Sequence, residues 1–188
     1  MIIKKNCIGL APMDGVTDEP FRLVQCKIAK PDLIFTEFVS AEGIAHGAKK
    51  LFNTLKYSEF ERPIIAQLFG KDPESFSIAA QKFVELGFDG VDINMGCPAK
   101  TVTQHGSGAA LIEKPQLALE IIKAVKKAVP KGYSVSVKTR LGPESWLALL
   151  IDHDIDLLTI HGRTLAHGSA GTAAWDDSVN IDKISTIP

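Results

Sequence analysis

The sequence predicts an α/β protein of the (β/α)8 TIM-barrel type, carried through about six of its units. Three observations predict it. Short β-type runs alternate with helical patterns along the whole length, which calls for right-handed crossovers and a parallel sheet. Polar residues stand at or just past the C-terminal end of every strand: Met13 and Asp14, Glu37, Gln67, Asn94 and Cys97, Lys138 and Arg140, His161 and Arg163. A doubly wound sheet gathers such groups at one switch point, whereas a barrel rings its mouth with all its loops. The third observation is the count. Six strands fit within 188 residues, against eight in about 250 for a closed barrel. One domain over 1–188 is expected, with strands seven and eight absent and open edges on the first and sixth.

The first strand is expected at 8–13 ("IGLAPM"), ending in Pro12. Thr17 and Asp18 then supply N-cap chemistry for a helix carrying Phe21, Val24 and Ile28. A second strand, 33–39, leads into a helical connection, "AHGAKKLFNTL". The third strand, 64–70, is followed by Asp72-Pro73, a cap and a first-turn proline, and by a helix with Phe76, Ala79, Ala80, Phe83 and Val84 on one face, closed by Gly87. The fourth strand is 90–96. After its polar loop a helix runs from about Pro115 to Val129 with Leu117, Ile121, Ile122 and Val125 inward. The fifth strand, 133–142, a shorter helix around 146–151, the sixth strand, 157–163, and a weak helix near 177–187 complete the chain.

Composition narrows the function. Apolar residues make up 45% and charged residues 23%, and the net charge is −1, so no global basic field advertises nucleic acid and any RNA contact must be local. Three cysteines, Cys7, Cys26 and Cys97, form no Cys-x-x-Cys pair; neither a disulfide framework nor a metal site is expected, and a reducing cytoplasm suits them. The N-terminus has no leader-like apolar run, and the longest apolar stretch, "WLALLI", is far too short to span a membrane. There is no Walker loop, His-Glu-x-x-His or Gly-x-Ser-x-Gly. "GSGAAL" (106–111) is not a dinucleotide fingerprint, because its glycines do not open the first strand-to-helix turn. They are expected to let the loop pack beside a ligand or base.

The candidate chemistry sits at the strand ends. Cys97 follows a strand, has Asn94 three residues before it and Pro98 stiffening the bend after it. Cysteine thiols are mostly protonated at neutral pH, so this one can donate a proton as well as attack. Gln67 offers donor and acceptor together, which suits the edge of a planar heterocycle. Lys138, between Val137 and Thr139, suits an anion, including a reduced flavin ring. His161 and Arg163 in "TIHGRT" make a donor-rich strand end for a phosphate or ring nitrogen.

Taken in order, the strings "APMDGVTDEPFR", "AQLFG", "DINMGCPAKTVTQHGSGAALI", "VSVKTRLG" and "LTIHGRT" resemble the tRNA-dihydrouridine synthase family. The resemblance implies an FMN-binding barrel followed by a small helical domain that grips tRNA, and the reduction of uridine to 5,6-dihydrouridine with NADPH (or NADH) as reductant. By the same resemblance Pro12, Met13 and Asp14 lie along the flavin, Gln67 bonds its pyrimidine edge, and Lys138 and His161 contact the ring. Asn94 helps place the uracil, Cys97 protonates C5, and Lys100, Arg140 and Arg163 meet tRNA. The family's seventh and eighth strands and its helical domain are not in this sequence. Two other readings stay open: another FMN-dependent barrel oxidoreductase acting on a small molecule, and an inactive truncated product.

Overall fold

A computed structural model describes residue 3, residues 6–168, residues 170–176 and residues 187–188. Six strands form one sheet: β1 (Gly9–Leu10), β2 (Leu33–Ser40), β3 (Ile64–Phe69), β4 (Gly90–Met95), β5 (Ser134–Leu141) and β6 (Leu157–Thr164). They lie side by side in sequence order and every pair is parallel. A doubly wound sheet would reverse its order part-way; this one steps in one direction throughout, which puts its helices on one face. That outer face carries Ile64, Ala66, Leu68, Val91, Ile93, Val135 and Val137, all fully buried with Phe76, Phe83, Ile121, Ile122 and Val125 in one core.

The inner face shows that the sheet is curled. Leu33 and Phe35 of β2, Ile65 of β3 and Leu157 of β6 form a second buried cluster, with Ile3 against it. In a flat sheet β3 and β6 would stand about 14 Å apart, too far for such a cluster. The arc is therefore six units of a (β/α)8 barrel, with an apolar plug low on its inner side. Leu158 N–H donates to the carbonyl of Pro188 at 3.0 Å, just as Ile34 N–H donates to the carbonyl of Pro63, directly ahead of β3, at 3.1 Å.

Helix starts follow the capping chemistry. Asp18 caps α1 (Glu19–Ile28), accepting from Phe21 N–H at 3.0 Å, and Asp72 caps α4 (Pro73–Glu85), accepting from Ser75 N–H at 2.9 Å. The long helix after the fourth strand is Pro115–Ala128, and the one after the fifth is Glu144–Ile151. No helix among the described residues is long and apolar enough to cross a membrane.

Several elements differ from expectation. The first strand shrinks from 8–13 to Gly9–Leu10, because residues 13–17 close into a turn: Val16 and Thr17 N–H both donate to the Met13 carbonyl, and Thr17 Oγ1 accepts from Met13 N–H. The helix carrying Phe21, Val24 and Ile28 turns those side chains outward and buries Arg22 and Cys26 instead. The helical connection over 45–55 is two short helices, α2 (Ala41–Ala45) and α3 (Leu51–Thr54), parted at Gly47, whose φ of +74° no helix interior accepts. A short helix, α5 (Lys100–Thr103), and a 3-10 turn, Gly108–Glu113, occupy the polar loop after β4. The expected helix near 177–187 lies outside the described residues, apart from Ile187 at its end.

Candidate active site at the strand C-termini

Strand alternation stacks the inner face in layers. Ile65, Gly90 and Ser134 pair at the floor; Gln67, Asp92, Ser136 and Leu157 pair above them; then Asn94, Lys138 and Thr159; and Arg140 and His161 nearest the rim. Polarity rises toward the C-terminal ends. The Gln67, Asp92 and Ser136 layer is fully buried, while Lys138, Thr159 and His161 above it are half-buried toward the rim.

The second and third layers share a buried hydrogen-bond network. Asn94 Oδ1 accepts from the backbone N–H groups of Gly96 at 3.1 Å and Cys97 at 2.9 Å, and Asn94 Nδ2 donates to Gln67 Oε1 at 2.9 Å. Gln67 Nε2 donates to Asp92 Oδ2 at 2.6 Å, and Ser136 Oγ meets Asp92 Oδ1 at 2.5 Å. Burial is the main cause that pushes the Asp92 carboxyl up to about 6, against the opposing bonds from Ser136 and Gln67 and the charge of Lys138.

Cys97 is half-buried at the lip of β4. Behind it, Ala109 N–H donates to the Cys97 carbonyl at 3.0 Å, and Gly108 adopts φ +59°. A Cβ on Gly108 would stand 2.8 Å from the Cys97 carbonyl oxygen and 2.8 Å from Val102 Cγ1. The loop glycine was expected to make room for a ligand or base. Gly108 instead makes room for the backbone of Cys97 itself.

Cations converge beside this loop. Burial lowers the Lys138 pKa, with Asp92 opposing it and Arg140 adding to it; Arg140 is lowered chiefly by burial as well. The charge of Cys97 is a smaller, opposing influence on both. His161 is held below its ordinary value by burial first, then by Arg140, Lys138 and Arg163. Lys138, Arg140 and Arg163 form no ion pair among the described residues. His161 Nδ1 is buried and has no hydrogen-bond partner among the described residues. An orphaned imidazole nitrogen beside cations without ion pairs is costly by itself and suits an electron-rich ligand.

The other expected residues fall as follows. Pro12 is half-buried, and Met13 and Asp14 are exposed; this first loop is tied to the rim by Gly15 N–H donating to Glu37 Oε1 at 2.6 Å. Gln67 is fully buried, and each end of its amide already has a partner, so it is not the free two-sided donor and acceptor expected. Arg140 was expected to meet RNA. It is buried, its Nε donates to the Gly96 carbonyl at 2.7 Å and its Nη1 to Gly168 at 2.8 Å, which ties the loop after β4 to the loop after β6. Arg163 is half-buried with Nε donating to the Gly171 carbonyl, and Lys100 is exposed at the start of α5. Asp92 and Ser136 were not anticipated. The period of two that places Asn94 on the inner face also places Asp92 there, and a buried acid in mid-strand was the available signal.

The family model for dihydrouridine synthase (Dus) matches residues 9–188. The chain belongs to that family. The "Probable tRNA-dihydrouridine synthase 2" of Bacillus subtilis (strain 168) is 42% identical over 183 residues, covering 93% of this chain and 55% of that protein. The "Probable tRNA-dihydrouridine synthase" of Staphylococcus aureus (strain COL) is 41% identical over 175 residues, covering 89% of this chain and 52% of that protein. The chain thus spans about half the length of the curated relatives it matches. Among solved structures, a variant of NCR from Zymomonas mobilis aligns with a TM-score of 0.59 over 96% of this chain and 72% of that one. At 16% identity that likeness concerns the fold alone, and it agrees with the barrel arc seen here.

Proposed function

We propose that this chain is the FMN-binding barrel portion of a flavin-dependent tRNA-dihydrouridine synthase that reduces selected uridines to 5,6-dihydrouridine, with NADPH or NADH as reductant. The observation that carries the reading is the buried His161 Nδ1, without a partner among the described residues, close to the charges of Arg140, Lys138 and Arg163, on the same rim as Cys97. That donor set fits an electron-rich ring with a phosphate tail.

In this reading Pro12, Met13 and Asp14 line the ring, and Lys138 and His161 donate to it. Gln67 contributes the one N–H and the lone pair that its internal bonds leave over. A flavin held by these residues would supply the electron pair and hydrogen for C6 of the uracil. Cys97 gives its thiol proton to C5, and the sulfur, left as a thiolate beside Lys138 and Arg140, regains a proton from solvent. Asn94 orients the base, which must leave its stack to enter the pocket. Lys100 and Arg163 face tRNA phosphates, while Arg140 keeps the two loops together under the base. Three free thiols suit the cytoplasm.

The test is to follow both half-reactions with FMN bound, giving NADPH first and unmodified tRNA second. Cys97→Ala should leave flavin reduction by NADPH intact and stop dihydrouridine formation. Loss of both steps together would remove Cys97 as the proton donor, and reoxidation by small enones or orotate but not by tRNA would move the protein to another class of flavin barrel.

A further inference from the structure

We propose that Asp92 is a positioning residue for the Cys97 loop, acting through Gln67 and Asn94; the inference rests on the reading of Cys97 as the proton donor. The polarity of the network carries it. Backbone N–H groups can only donate, so the atom facing Gly96 and Cys97 must be the oxygen of Asn94. Its amide nitrogen therefore faces Gln67, whose facing atom must be the oxygen. That leaves the Gln67 nitrogen pointing down the barrel, where it needs an acceptor, and the Asp92 carboxylate is that acceptor. No member can flip without setting donor against donor. The chain thus runs in one sense from a fully buried carboxylate to the backbone of the reacting cysteine, across β4 and β3 and back to β4.

The role is that of an acceptor, and this separates it from a role through charge. Asparagine at 92 can offer its oxygen to Gln67 and its nitrogen to the Ser136 hydroxyl, which can accept. Leucine fills similar space and offers nothing, so Gln67 Nε2 is orphaned in a fully buried layer. The Asn94 anchor then loosens, and the loop carrying Cys97 opens more often.

The experiment reads the thiol directly, in the chain without FMN or tRNA. Alkylation by iodoacetamide is followed peptide by peptide for the three cysteines in the wild type, Asp92→Asn and Asp92→Leu. Cys7 serves as the exposure control and the buried Cys26 as the folding control. Asp92→Leu should accelerate alkylation of Cys97 by about five-fold or more, and Asp92→Asn should stay within about two-fold of the wild type, as expected for a loop released by loss of one buried hydrogen bond. Equal Cys97 rates in all three proteins would overturn the proposal, and so would an asparagine variant as fast as the leucine one, which would mark a charge effect. If Cys26 becomes reactive in Asp92→Leu, Asp92→Ser, too short to reach Gln67, takes its place under the same criteria. Because no flavin or tRNA is present, failure here counts against the hydrogen-bond chain alone, while failure of tRNA to reoxidise the flavin counts against the functional reading.

Discussion

Arg22 and Glu61 form an ion pair with neither side chain exposed, Nε to Oε2 at 2.5 Å, joining α1 to the 3-10 turn at Glu59–Glu61 ahead of β3. Arg22 also donates to the carbonyls of Thr17 at 2.9 Å and Lys56 at 2.7 Å, and Glu61 Oε1 accepts from Ser58 N–H at 2.7 Å. All three guanidinium nitrogens of Arg22 are therefore spent on holding that helix down. Removing one partner leaves the other charge buried without its complement. Glu61→Leu or Arg22→Met alone should destabilise the fold by about 3–5 kcal/mol, and the double variant Arg22→Met/Glu61→Leu should recover part of that loss. Denaturant midpoints for the two singles and the double, read as a cycle, check both. A single variant with an unshifted midpoint would mean the pair adds nothing.

This pair also marks where sequence reasoning stops. The alternation of strands and helices, the caps at Asp18 and Asp72 and the polar strand ends are local signals, and they were legible. The inward face of α1 was not. Phe21, Val24 and Ile28 repeat at helical spacing, yet Val24 is 56% exposed and Ile28 78% exposed, because the buried face belongs to Arg22 and its distant partner at 61. A long-range ion pair leaves no periodic trace. At the site, residue types at strand ends pointed to Cys97, Lys138 and His161, but the internal partners of Gln67 and the backbone contacts of Arg140 depend on loops that meet only in the folded chain.

Asp92 should make stability depend on pH. Its folded value, about 6, lies above the ordinary carboxyl value of 3.8, so the native state binds more protons than the unfolded state between them. Stability from this group is fully present below the unfolded value and is lost as pH rises through about 6. The loss amounts to roughly 3 kcal/mol. Wild-type stability minus that of Asp92→Asn, measured by denaturation from pH 4 to pH 7, should fall along this window. A flat difference would show that the carboxyl is not perturbed.

Gly108→Ala should disturb the cysteine before anything else. The new methyl meets the Cys97 carbonyl and Val102, both at 2.8 Å, at a backbone φ of +59° that alanine disfavours. A cost of about 1–3 kcal/mol is expected, and relief would come by pushing Cys97 away from its bond with Asn94. Dihydrouridine formation should therefore fall more steeply than flavin reduction by NADPH. Equal losses in the two half-reactions would place the strain elsewhere.

His161 should report on the cation cluster. After burial, the nearby charges of Arg140, Lys138 and Arg163 hold its imidazole below the ordinary histidine value, which keeps it neutral at pH 7 and able to present Nδ1 as either donor or acceptor. Lys138→Met removes one of those charges with little change in volume, and the sign is fixed: with less positive charge nearby, the protonated ring costs less and the titration moves up. An NMR titration of the His161 ring protons in wild type and variant measures it. A titration that stays in place, or moves down, would mean that Lys138 does not act on His161 as a charge. The upward shift is the outcome that ties β5 and β6 into one electrostatic unit, as a shared anionic ligand requires.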